Sequence, residues 1–419
     1  MADLQPLRAL HYDLGVAGPL RNLIAPPYDV VDAEQRAALE ARSPFNVVGV
    51  DLPRGEPDPY EHAAKLLAEW QAERALVRDR EPALWALEQR YAGPDGSAKV
   101  RRGVFARVPV TPYGPGAIRP HERTHPGPKE ERLRLARATK ANVSPIFALH
   151  AGNAYGPLTA GLGDAEPWGE ATGDDGTVNR LWRVSDPERI AAAQEAVAGS
   201  ELLIADGHHR YETARAYAEE IGGEGEHRFV LMLLVSLEDP GLTIFPTHRL
   251  LDGLKETSRQ QALRDTLLEH FDTEPVAPEQ LAPPLGPEGG PLVMGYIDAF
   301  HRQPLRLTLK DWASADRLLE GQPEAYRRLD TAVLEALILK GPVGLSEDDI
   351  AQLNGLGYSR TDAEALELVR SGTYDAAFFL RPTPVEQVQA IAAAGVNMPP
   401  KSTFFYPKVP TGLLMSPLA

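Results

Sequence analysis

The segment Leu202–Ala214 most constrains what this chain can fold into, because an apolar run changes to helical spacing within it. The sequence Asp-Gly-His-His-Arg, at Asp206–Arg210, lies at the junction. A strand that ends directly before a helix brings backbone N–H groups and the positive end of the helix dipole to one point. Two imidazoles and a guanidinium at that point favour an anion, most simply a phosphate. The pattern therefore predicts a phosphate-binding turn between a strand and a helix.

The side chains of this turn allow several roles. Gly207 permits a sharp backbone turn, and Arg210 can bind two phosphate oxygens. His208 and His209 can each donate to a phosphate or transfer a proton. Asp206 can fix a histidine tautomer, accept the proton of a substrate hydroxyl or bind Mg²⁺. The alternative is an N-capping aspartate followed by solvated polar residues. A zinc site is disfavoured, since neither cysteine nor an H-E-x-x-H spacing completes a ligand set.

Composition narrows the class of protein. A length of 419 residues indicates two or three domains. The chain contains no cysteine, which excludes thiol catalysis, disulfides and iron–sulfur clusters and is typical of a cytoplasmic enzyme. The net charge of −16 disfavours a nucleic-acid partner, because that affinity needs basic surface. Neither a signal-peptide pattern nor an apolar run of membrane-spanning length occurs, so we expect no membrane partner. A homodimer is compatible with the sequence.

Strand and helix patterns are mixed along the chain, which predicts an α/β to α+β fold with a mixed sheet. We expect three regions: an N-terminal α+β region at 1–118, a central region at 119–274 with the phosphate-binding core, and a C-terminal α+β region at 275–419. The Pro/Gly-rich stretch 275–290 is the best linker candidate.

Local patterns predict individual elements. Two hairpins are expected, the first of them with a Gly-Pro-Asp-Gly turn. A buried strand, a loop and the buried face of the helix after the turn are expected as well. The predicted elements are hairpins of Trp85–Tyr91 with Arg102–Val108 and of Leu292–Ile297 with Leu305–Leu309, a strand at Asn46–Asp51, a loop at Asn153–Thr177, and a helix face of Tyr211, Ala214, Tyr217 and Ile221.

The loop His121–Arg132 is rich in proline, glycine and ionisable groups and enters a helix at about Pro128. Loops of this kind, held by a scaffold, often carry function. Glu122 is a candidate general base or metal ligand, and Lys129 is a candidate phosphate contact. A solvated loop with no such role is an equal alternative.

Two further segments carry candidate phosphate contacts. Lys401, Ser402 and Thr403 resemble the end of a P-loop, but no glycine-rich loop precedes them, so the nucleotide motif is not met. The alternative there is a C-terminal strand that packs Phe404 and Tyr406 into the core. His248 and Arg249 form a second His-Arg pair, for which a solvated strand end is the alternative.

Several of these segments together resemble one widespread bacterial family, catalogued as the domain of unknown function number one thousand and fifteen. The resemblance runs from about residue 5 to the C-terminus. The segments that carry it are Ala25–Val30, His121–Phe147 with its T-H-x-G-P-K-E core and closing S-P-I-F, Ala205–Ala214, Pro246–Leu250 and Met398–Lys408.

The Asp206–Arg210 turn also resembles the signature of the ParB and sulfiredoxin superfamily, in which a strand-to-helix turn holds nucleotide phosphates. Gly207 and Arg210 match that signature, and His208 stands where sulfiredoxin has its catalytic cysteine, so sulfinic-acid reduction is excluded. Free-serine kinases of this superfamily have an Asp-Gly-His-x-Arg turn, phosphorylate the hydroxyl of free L-serine and need a carboxylate base. The resemblance implies a ParB/sulfiredoxin-like nucleotide-binding core with additional α+β subdomains.

The resulting hypothesis is a kinase-like phosphotransferase for a small hydroxylated metabolite, with free L-serine as the first candidate. ATP, ADP or pyrophosphate would be the donor, with Mg²⁺ as cofactor. Arg210 and the two turn histidines, with Lys129 or Lys401, would hold phosphate. Asp206 or Glu122 would act as base or bind the metal. The alternatives are a phosphate-ester or nucleotide hydrolase on the same site and a non-catalytic, ParB-like nucleotide-binding regulatory module.

Overall fold

A computed structural model describes residues 3–94, 96–122, 124, 126–286 and 289–419 of the chain. In these ranges the chain forms two compact units. Unit 1 contains the residues up to Thr243 together with Phe405–Ala419, and unit 2 contains Ile244–Phe404. These bounds differ from the three sequence regions, because a chain that leaves a unit and later returns to it gives no signal in local composition. The three-region division stays a prediction.

Unit 1 is built on a mixed sheet, which confirms the predicted α+β class. Among the described residues this sheet has eight strands, in the order β5-β10-β7-β11-β4-β3-β9-β8. The β5–β10 and β7–β11 pairs are parallel, and the other pairs are antiparallel. The strands of unit 1 before residue 243 are β1 (Leu10–Tyr12), β2 (Leu76–Arg78), β3 (Leu84–Ala92), β4 (Ala98–Pro109), β5 (Ile118–Arg119), β6 (Ala141–Asn142), β7 (Ile146–His150), β8 (Gly169–Thr172), β9 (Val178–Val184), β10 (Leu202–Asp206) and β11 (Phe229–Ser236).

Helices cover one face of this sheet, and α7 and α8 bury apolar side chains against it. Ile190 and Ala193 come from α7, and Tyr211 and Ala214 come from α8. Successive strand residues point to opposite faces, so the other face is lined by a different residue set. The helices of unit 1 are α1 (Leu14–Ala17), α2 (Ala33–Glu40), α3 (Val48–Asp51), α4 (Pro59–Ala72), α5 (Pro126–Thr139), α6 (Tyr155–Thr159), α7 (Pro187–Val197) and α8 (His208–Ile221).

The returning segment Phe405–Ala419 is part of the core of unit 1. The Phe405 ring lies 5.8 Å from the ring of Phe147 on β7, with the rings edge to face. The Leu10 amide donates to the Met415 carbonyl at 2.9 Å, and Leu413, Leu414 and Met415 are fully buried. A two-residue strand, β20 (Ser416–Pro417), pairs with β6. Burial of this segment fixes the residues that it carries relative to the large sheet.

Unit 2 has its own sheet and its own core. In the described residues this sheet has six strands in the order β14-β16-β15-β18-β13-β17, all paired antiparallel. The elements between residues 243 and 406 lie in unit 2, except that β12 begins and β19 ends in unit 1. They are β12 (Thr243–Phe245), β13 (His248–Leu251), β14 (Phe271–Pro275), β15 (Val293–Asp298), β16 (Leu305–Leu309), β17 (Leu356–Ser359), β18 (Ala376–Phe379), β19 (Phe404–Tyr406), α9 (Thr257–His270), α10 (Ala313–Leu318), α11 (Glu324–Arg327), α12 (Asp330–Leu334), a π-helical segment (Glu335–Leu339), α13 (Glu347–Gln352), α14 (Asp362–Arg370) and α15 (Val385–Ala393).

Both predicted hairpins are confirmed, since β3 pairs antiparallel with β4 and β15 with β16. Asp95 of the first hairpin turn, and Pro287 and Glu288 of the expected linker, lie outside the described residues. The other described residues of that linker lie within unit 2 and do not join the units. No helix in the described ranges has the length and apolar character needed to cross a membrane.

Four local predictions are wrong, mostly because tertiary contacts override a short apolar pattern. The predicted strand Asn46–Asp51 contains helix α3, and the predicted loop Asn153–Thr177 contains α6 and β8. Ile221, expected on the buried face of α8, is 52% exposed because the helix ends there. In β19 the buried residue is Phe405, whereas its neighbours Phe404 and Tyr406 are half-buried, since adjacent strand residues face opposite sides.

Gly241 offers a test of this packing. A Cβ at this position would lie 2.1 Å from the Val100 carbonyl oxygen, so Gly241→Ala must displace backbone. We expect the substitution to lower the free energy of unfolding by about 2 kcal/mol or more, measured by urea denaturation. Gly114→Ala is the matched control, because nothing lies within 4 Å of its Cβ position. Equal losses in the two variants would contradict the close approach at Gly241.

Candidate functional site

The predicted strand-turn-helix junction is present in unit 1. Strand β10 ends at Asp206, and helix α8 begins at His208. Gly207 caps the helix with φ of +96° and ψ of 29°, in the left-handed region that favours glycine. A Cβ on Gly207 would also lie 2.9 Å from Arg210 Nε. Both the conformation and the space at this position therefore require glycine.

The Asp206 carboxylate lies between two cations. Arg210 Nη2 donates to Asp206 Oδ2 at 2.5 Å, and Lys408 Nζ donates to Asp206 Oδ1. Burial alone would raise the pKa of Asp206, but the charges of Lys408 and Arg210 outweigh it and hold this pKa well below its ordinary value. Asp206 is therefore an ionised hydrogen-bond acceptor at neutral pH and a poor general base, since a base works best with a pKa near the working pH.

Arg210 anchors the turn to the entry of strand β7. Its Nη1 donates to Ser144 Oγ at 2.7 Å and to the Pro145 carbonyl. The side chain of Arg210 is only 9% exposed. Ser144 Oγ in turn lies 2.9 Å from the hydroxyl of Thr411 in the returning segment. Arg210 thus brings positive charge to the turn while it holds three parts of unit 1 in place.

Two neutral histidines pack beside the turn. His121 Nδ1 donates to the Ile204 carbonyl at 2.7 Å, because a carbonyl can only accept. The His121 amide donates to His208 Nε2 at 3.3 Å, which leaves the His208 proton on Nδ1. The ring centroids lie 4.6 Å apart, edge to face. Burial lowers the pKa of both imidazoles, that of His208 well below its ordinary value.

Arg101 adds a third cation to this region. The side chain is 1% exposed, and its guanidinium lies 4.5 Å from the centroid of the Phe147 ring. Arg101 Nη2 donates to the Pro407 carbonyl at 2.5 Å, and Arg101 Nε donates to Gln89 Oε1 at 3.0 Å. Burial lowers the pKa of Arg101 to about 10. Within the described residues Arg101 forms no ion pair, and its Nη1 has no hydrogen-bond partner.

Three largely buried cations lie near the Asp206 carboxylate. Arg101, Arg210 and Lys408 all act electrostatically on Asp206, while Arg101 also acts on Asp239 and Arg210 on Asp51. The adjacent Arg132 is paired with Asp51, its Nη1 lying 2.9 Å from Oδ1. Buried charge is costly unless it is paired. The turn is therefore a place where several buried cations come together, which favours an anionic ligand.

A small cavity of about 40 Å³ lies beside Arg210. Its wall includes Asp51, Arg132 and Ser144. The Arg132 guanidinium lies 4.3 Å from the centroid of the Tyr28 ring. Tyr28 belongs to the Ala25–Val30 segment, so this segment contributes to the surroundings of the turn.

The His121–Arg132 loop contacts the turn through His121, whereas functional roles for Glu122 and Lys129 stay predictions. Glu122 is half-buried, and its charge raises the pKa of His121 against the larger effect of burial. Lys129 lies on α5, where its carbonyl accepts from Thr213 Oγ1 of α8 at 3.4 Å. His209 is half-buried in the first turn of α8. Arg123 and His125 of this loop lie outside the described residues.

The other predicted phosphate contacts lie in unit 2. His248 Nε2 donates to Asp362 Oδ1 at 2.7 Å, since His248 Nδ1 accepts from the Leu380 amide at 3.2 Å. The Arg249 guanidinium donates to the carbonyls of Thr247, Pro400 and Lys401 at 2.6–3.1 Å.

Within the same unit, the hydroxyl of Ser402 is buried and contacts Thr331 Oγ1 and the Pro399 carbonyl, each at 2.7 Å. Thr403 is half-buried, and Lys401 is exposed with φ of +55°. A phosphate role for these residues stays a prediction.

Sequence reasoning missed Lys408, Arg101 and Ser144 as parts of the site. Lys408 ends a segment that the sequence analysis singled out, but Lys401–Thr403 was favoured there because of its likeness to a P-loop. Arg101 carries a weak signal, an arginine facing inward in a strand with apolar alternation. Ser144 lies in the segment before β7 and carries no chemical pattern of its own.

Metal binding at the turn receives no support from a preformed ligand set. In the described part of the chain no group of three or more His, Asp or Glu side chains is arranged to hold a metal ion.

The chain belongs to the family described as Protein of unknown function (DUF1015), whose model matches residues 4–332. No curated protein matches the sequence.

Among solved structures, a mutant free serine kinase in complex with AMP is 12% identical with a TM-score of 0.38, and the match covers 74% of this chain and 92% of that chain. A second mutant of that enzyme, in complex with ADP, is 12% identical with a TM-score of 0.37 and the same coverage. C-terminally truncated SbnI from Staphylococcus aureus is 12% identical with a TM-score of 0.36, and the match covers 73% of this chain and 84% of the SbnI chain. Likenesses at this level do not decide the activity.

Lys408→Met tests the ion pair at Asp206. Removing one partner of a buried pair leaves the other charge uncompensated, so we expect a loss of about 3 kcal/mol in the free energy of unfolding at pH 7. The folded-state pKa of Asp206 is depressed, so its contribution is present above the ordinary carboxyl pKa of about 4 and is lost as the pH falls below it. The gap between wild type and variant should therefore narrow from pH 5 to pH 3 in urea titrations. Lys65→Met, at a side chain that is 74% exposed, is the control. A difference in unfolding free energy between wild type and Lys408→Met that does not change with pH would contradict the ion pair between Lys408 and an ionised Asp206.

His208→Gln tests the neutral histidine pair. An unfolded histidine takes up a proton near pH 6.5, whereas burial keeps folded His208 neutral, so the wild type loses stability as the pH falls below about 6.5. We expect the variant to reduce this slope by up to about 1.4 kcal/mol per pH unit, measured by denaturation between pH 7.5 and 5. His62→Gln, at an exposed position, should leave the slope unchanged. An identical slope in His208→Gln would show that His208 titrates normally.

Proposed function

We propose that the protein is a kinase-like phosphotransferase that transfers phosphate to a small hydroxylated metabolite, with free L-serine as the first candidate. The observation that carries the proposal is the grouping of three buried cations, Arg101, Arg210 and Lys408, around Asp206. This group lies at a strand-to-helix turn, where the dipole of the 14-residue helix α8 adds positive potential. A phosphate group complements both features.

The donor is a nucleotide, ATP or ADP, or pyrophosphate. All three present phosphate oxygens to which guanidinium and ammonium groups can donate charge-assisted hydrogen bonds. Phosphoryl transfer needs little covalent chemistry from the protein and depends mainly on positioning and neutralisation of charge. A pre-arranged cluster of buried cations meets both needs.

In the transfer step, the acceptor hydroxyl oxygen forms a bond to phosphorus while the bond from phosphorus to the leaving phosphate oxygen breaks. Asp206 accepts a hydrogen bond from the acceptor hydroxyl and orients it, because its low pKa makes it a weak proton acceptor. The hydroxyl proton passes to Glu122 or to solvent. His208 donates from Nδ1 to an oxygen of the transferred group, and Lys408 and Arg210 neutralise the developing charge.

Asp206 is an unfavourable direct Mg²⁺ ligand, because the Arg210 and Lys408 cations at its two oxygens would repel the ion, whereas they would not repel a neutral hydroxyl. Glu122 is the remaining carboxylate candidate. Mg²⁺ usually enters such sites with the phosphate oxygens of its nucleotide, so the ion belongs to the donor in this proposal.

The test is turnover. The purified protein is incubated with L-serine and Mg²⁺ and with ATP, ADP or pyrophosphate in turn, and phosphoserine is followed by mass spectrometry. We expect product from the wild type and a loss on the order of 10³ in rate for Lys408→Met, by analogy with other cations that stabilise the transferred phosphoryl group. Lys65→Met should keep the wild-type rate.

Other outcomes point to other functions. Release of inorganic phosphate without phosphoserine favours a hydrolase on the same site. Tight nucleotide binding with no transfer to a broad panel of hydroxyl metabolites overturns the kinase proposal in favour of a regulatory module.

A further inference from the structure

Another cavity in unit 1, of about 380 Å³, lies away from the turn. We call it the His150 cavity; its wall includes His150, Arg102, Glu238 and Asp239. It lies where the parallel strands β7 and β11 end, and ligands of α/β proteins are typically bound beyond the carboxyl ends of parallel strands. Asp206 pairs with Phe147, three residues before His150 and therefore about 10 Å away along the strand.

His150 contributes a hydrogen-bond acceptor to the wall of this cavity. The residue is 1% exposed, and its Nδ1 lies 2.8 Å from the Ala151 carbonyl oxygen. Because that carbonyl can only accept, the proton is on Nδ1 and the lone pair is on Nε2. Burial lowers the pKa of His150 and favours the same neutral state. Within the described residues Nε2 accepts from no protein donor and keeps some solvent contact, so a donor on a ligand can reach it.

Two carboxylates add acceptors to the wall of the cavity. Asp239 is held in place, since its Oδ1 accepts from the Gly241 amide at 2.9 Å and its Oδ2 from the Arg102 amide at 3.3 Å. Glu238 is exposed at the rim. Carboxylates and the Nε2 lone pair all accept hydrogen bonds, so the complementary group on a ligand is a donor, and a protonated amine supplies three.

Arg102 adds a guanidinium to the wall of the cavity. Its Nε lies 3.3 Å from Glu88 Oε2, and the side chain is 41% exposed. The planar guanidinium retains further donors that suit a carboxylate. A wall that contains both hydrogen-bond acceptors and a guanidinium matches a molecule that carries both an amine and a carboxylate.

We propose that the His150 cavity binds a small zwitterionic amino acid. Its ammonium group donates to His150 Nε2 and to the carboxylates of Asp239 and Glu238, and its carboxylate accepts from Arg102. The volume lies at the lower end of the range for small-molecule sites, which suits a ligand of this size. This site is separate from the phosphate site and does not rest on the proposed function.

Isothermal titration calorimetry of the full chain tests the proposal, with each common L-amino acid as probe. Ethylamine serves as the amine-only probe and acetate as the acid-only probe. We expect at least one amino acid to bind with one site per chain, at least about tenfold tighter than either partial probe. Acetate binding as tightly as the amino acid would overturn the assignment of the ammonium group, and ethylamine doing so would overturn the role of Arg102.

Substitutions locate the binding site. His150→Leu and Asp239→Asn should each weaken binding at least about tenfold, whereas the exposed controls His62→Leu and Asp272→Asn should not. Should the buried variants fail to fold, Glu238→Gln and Arg102→Gln at the more exposed rim decide the question, and unchanged affinity in both overturns the proposal.

Asp206→Asn separates this site from the phosphate site. The variant should bind the amino acid as the wild type does, even where phosphotransfer is absent. No binding of any amino acid by the wild type, or binding lost in Asp206→Asn but kept in His150→Leu, overturns the proposal.

Discussion

The ion pair between Asp206 and Lys408 is the interaction on which the candidate site depends. It joins residues 202 positions apart, and both side chains are only 16% exposed. A buried carboxylate of this kind is tolerated only when cations and hydrogen bonds compensate it. Lys408 reaches Asp206 because the segment Phe405–Ala419 is packed into the core of unit 1. The cation that pairs with Asp206 at the turn, Lys408, therefore comes from a distant part of the chain, and the sequence of the turn does not predict it.

The same sheet offers different electrostatic environments at opposite ends of neighbouring strands. At the end of β10, three buried cations lie near the Asp206 carboxylate, and the neighbouring histidines are neutral. At the ends of β7 and β11, a neutral His150 and two carboxylates present acceptors beside Arg102. Burial strengthens both environments, because charges and lone pairs interact more strongly where water is excluded. This difference is the physical basis of the two proposals, a phosphate at the first place and an amino acid at the second.

Local sequence patterns predicted the features that depend on neighbouring residues. The hairpin of β3 and β4 was predicted from alternating apolar and polar residues on either side of a glycine-containing turn. The β10–Gly207–α8 junction was predicted from an apolar run that changes to the spacing of a helix. Prediction of secondary structure failed where contacts between distant parts of the chain decide the local conformation. The apolar run Asn46–Asp51 resembles a strand, yet part of it forms α3, in which Asp51 pairs with Arg132 of α5, 81 residues later.

The sequence by itself determined the family, the mixed α+β class and the Asp206–Arg210 turn, because composition, periodicity and a glycine at a strand end act within a few residues. Only the tertiary structure decided that Arg210 donates to Ser144 and Pro145, that Lys408 and Arg101 lie near Asp206, and that His150 lines a cavity. The physical reason is that burial and charge compensation are properties of spatial neighbours. Neighbours that lie hundreds of residues apart in the chain leave no local trace in its sequence.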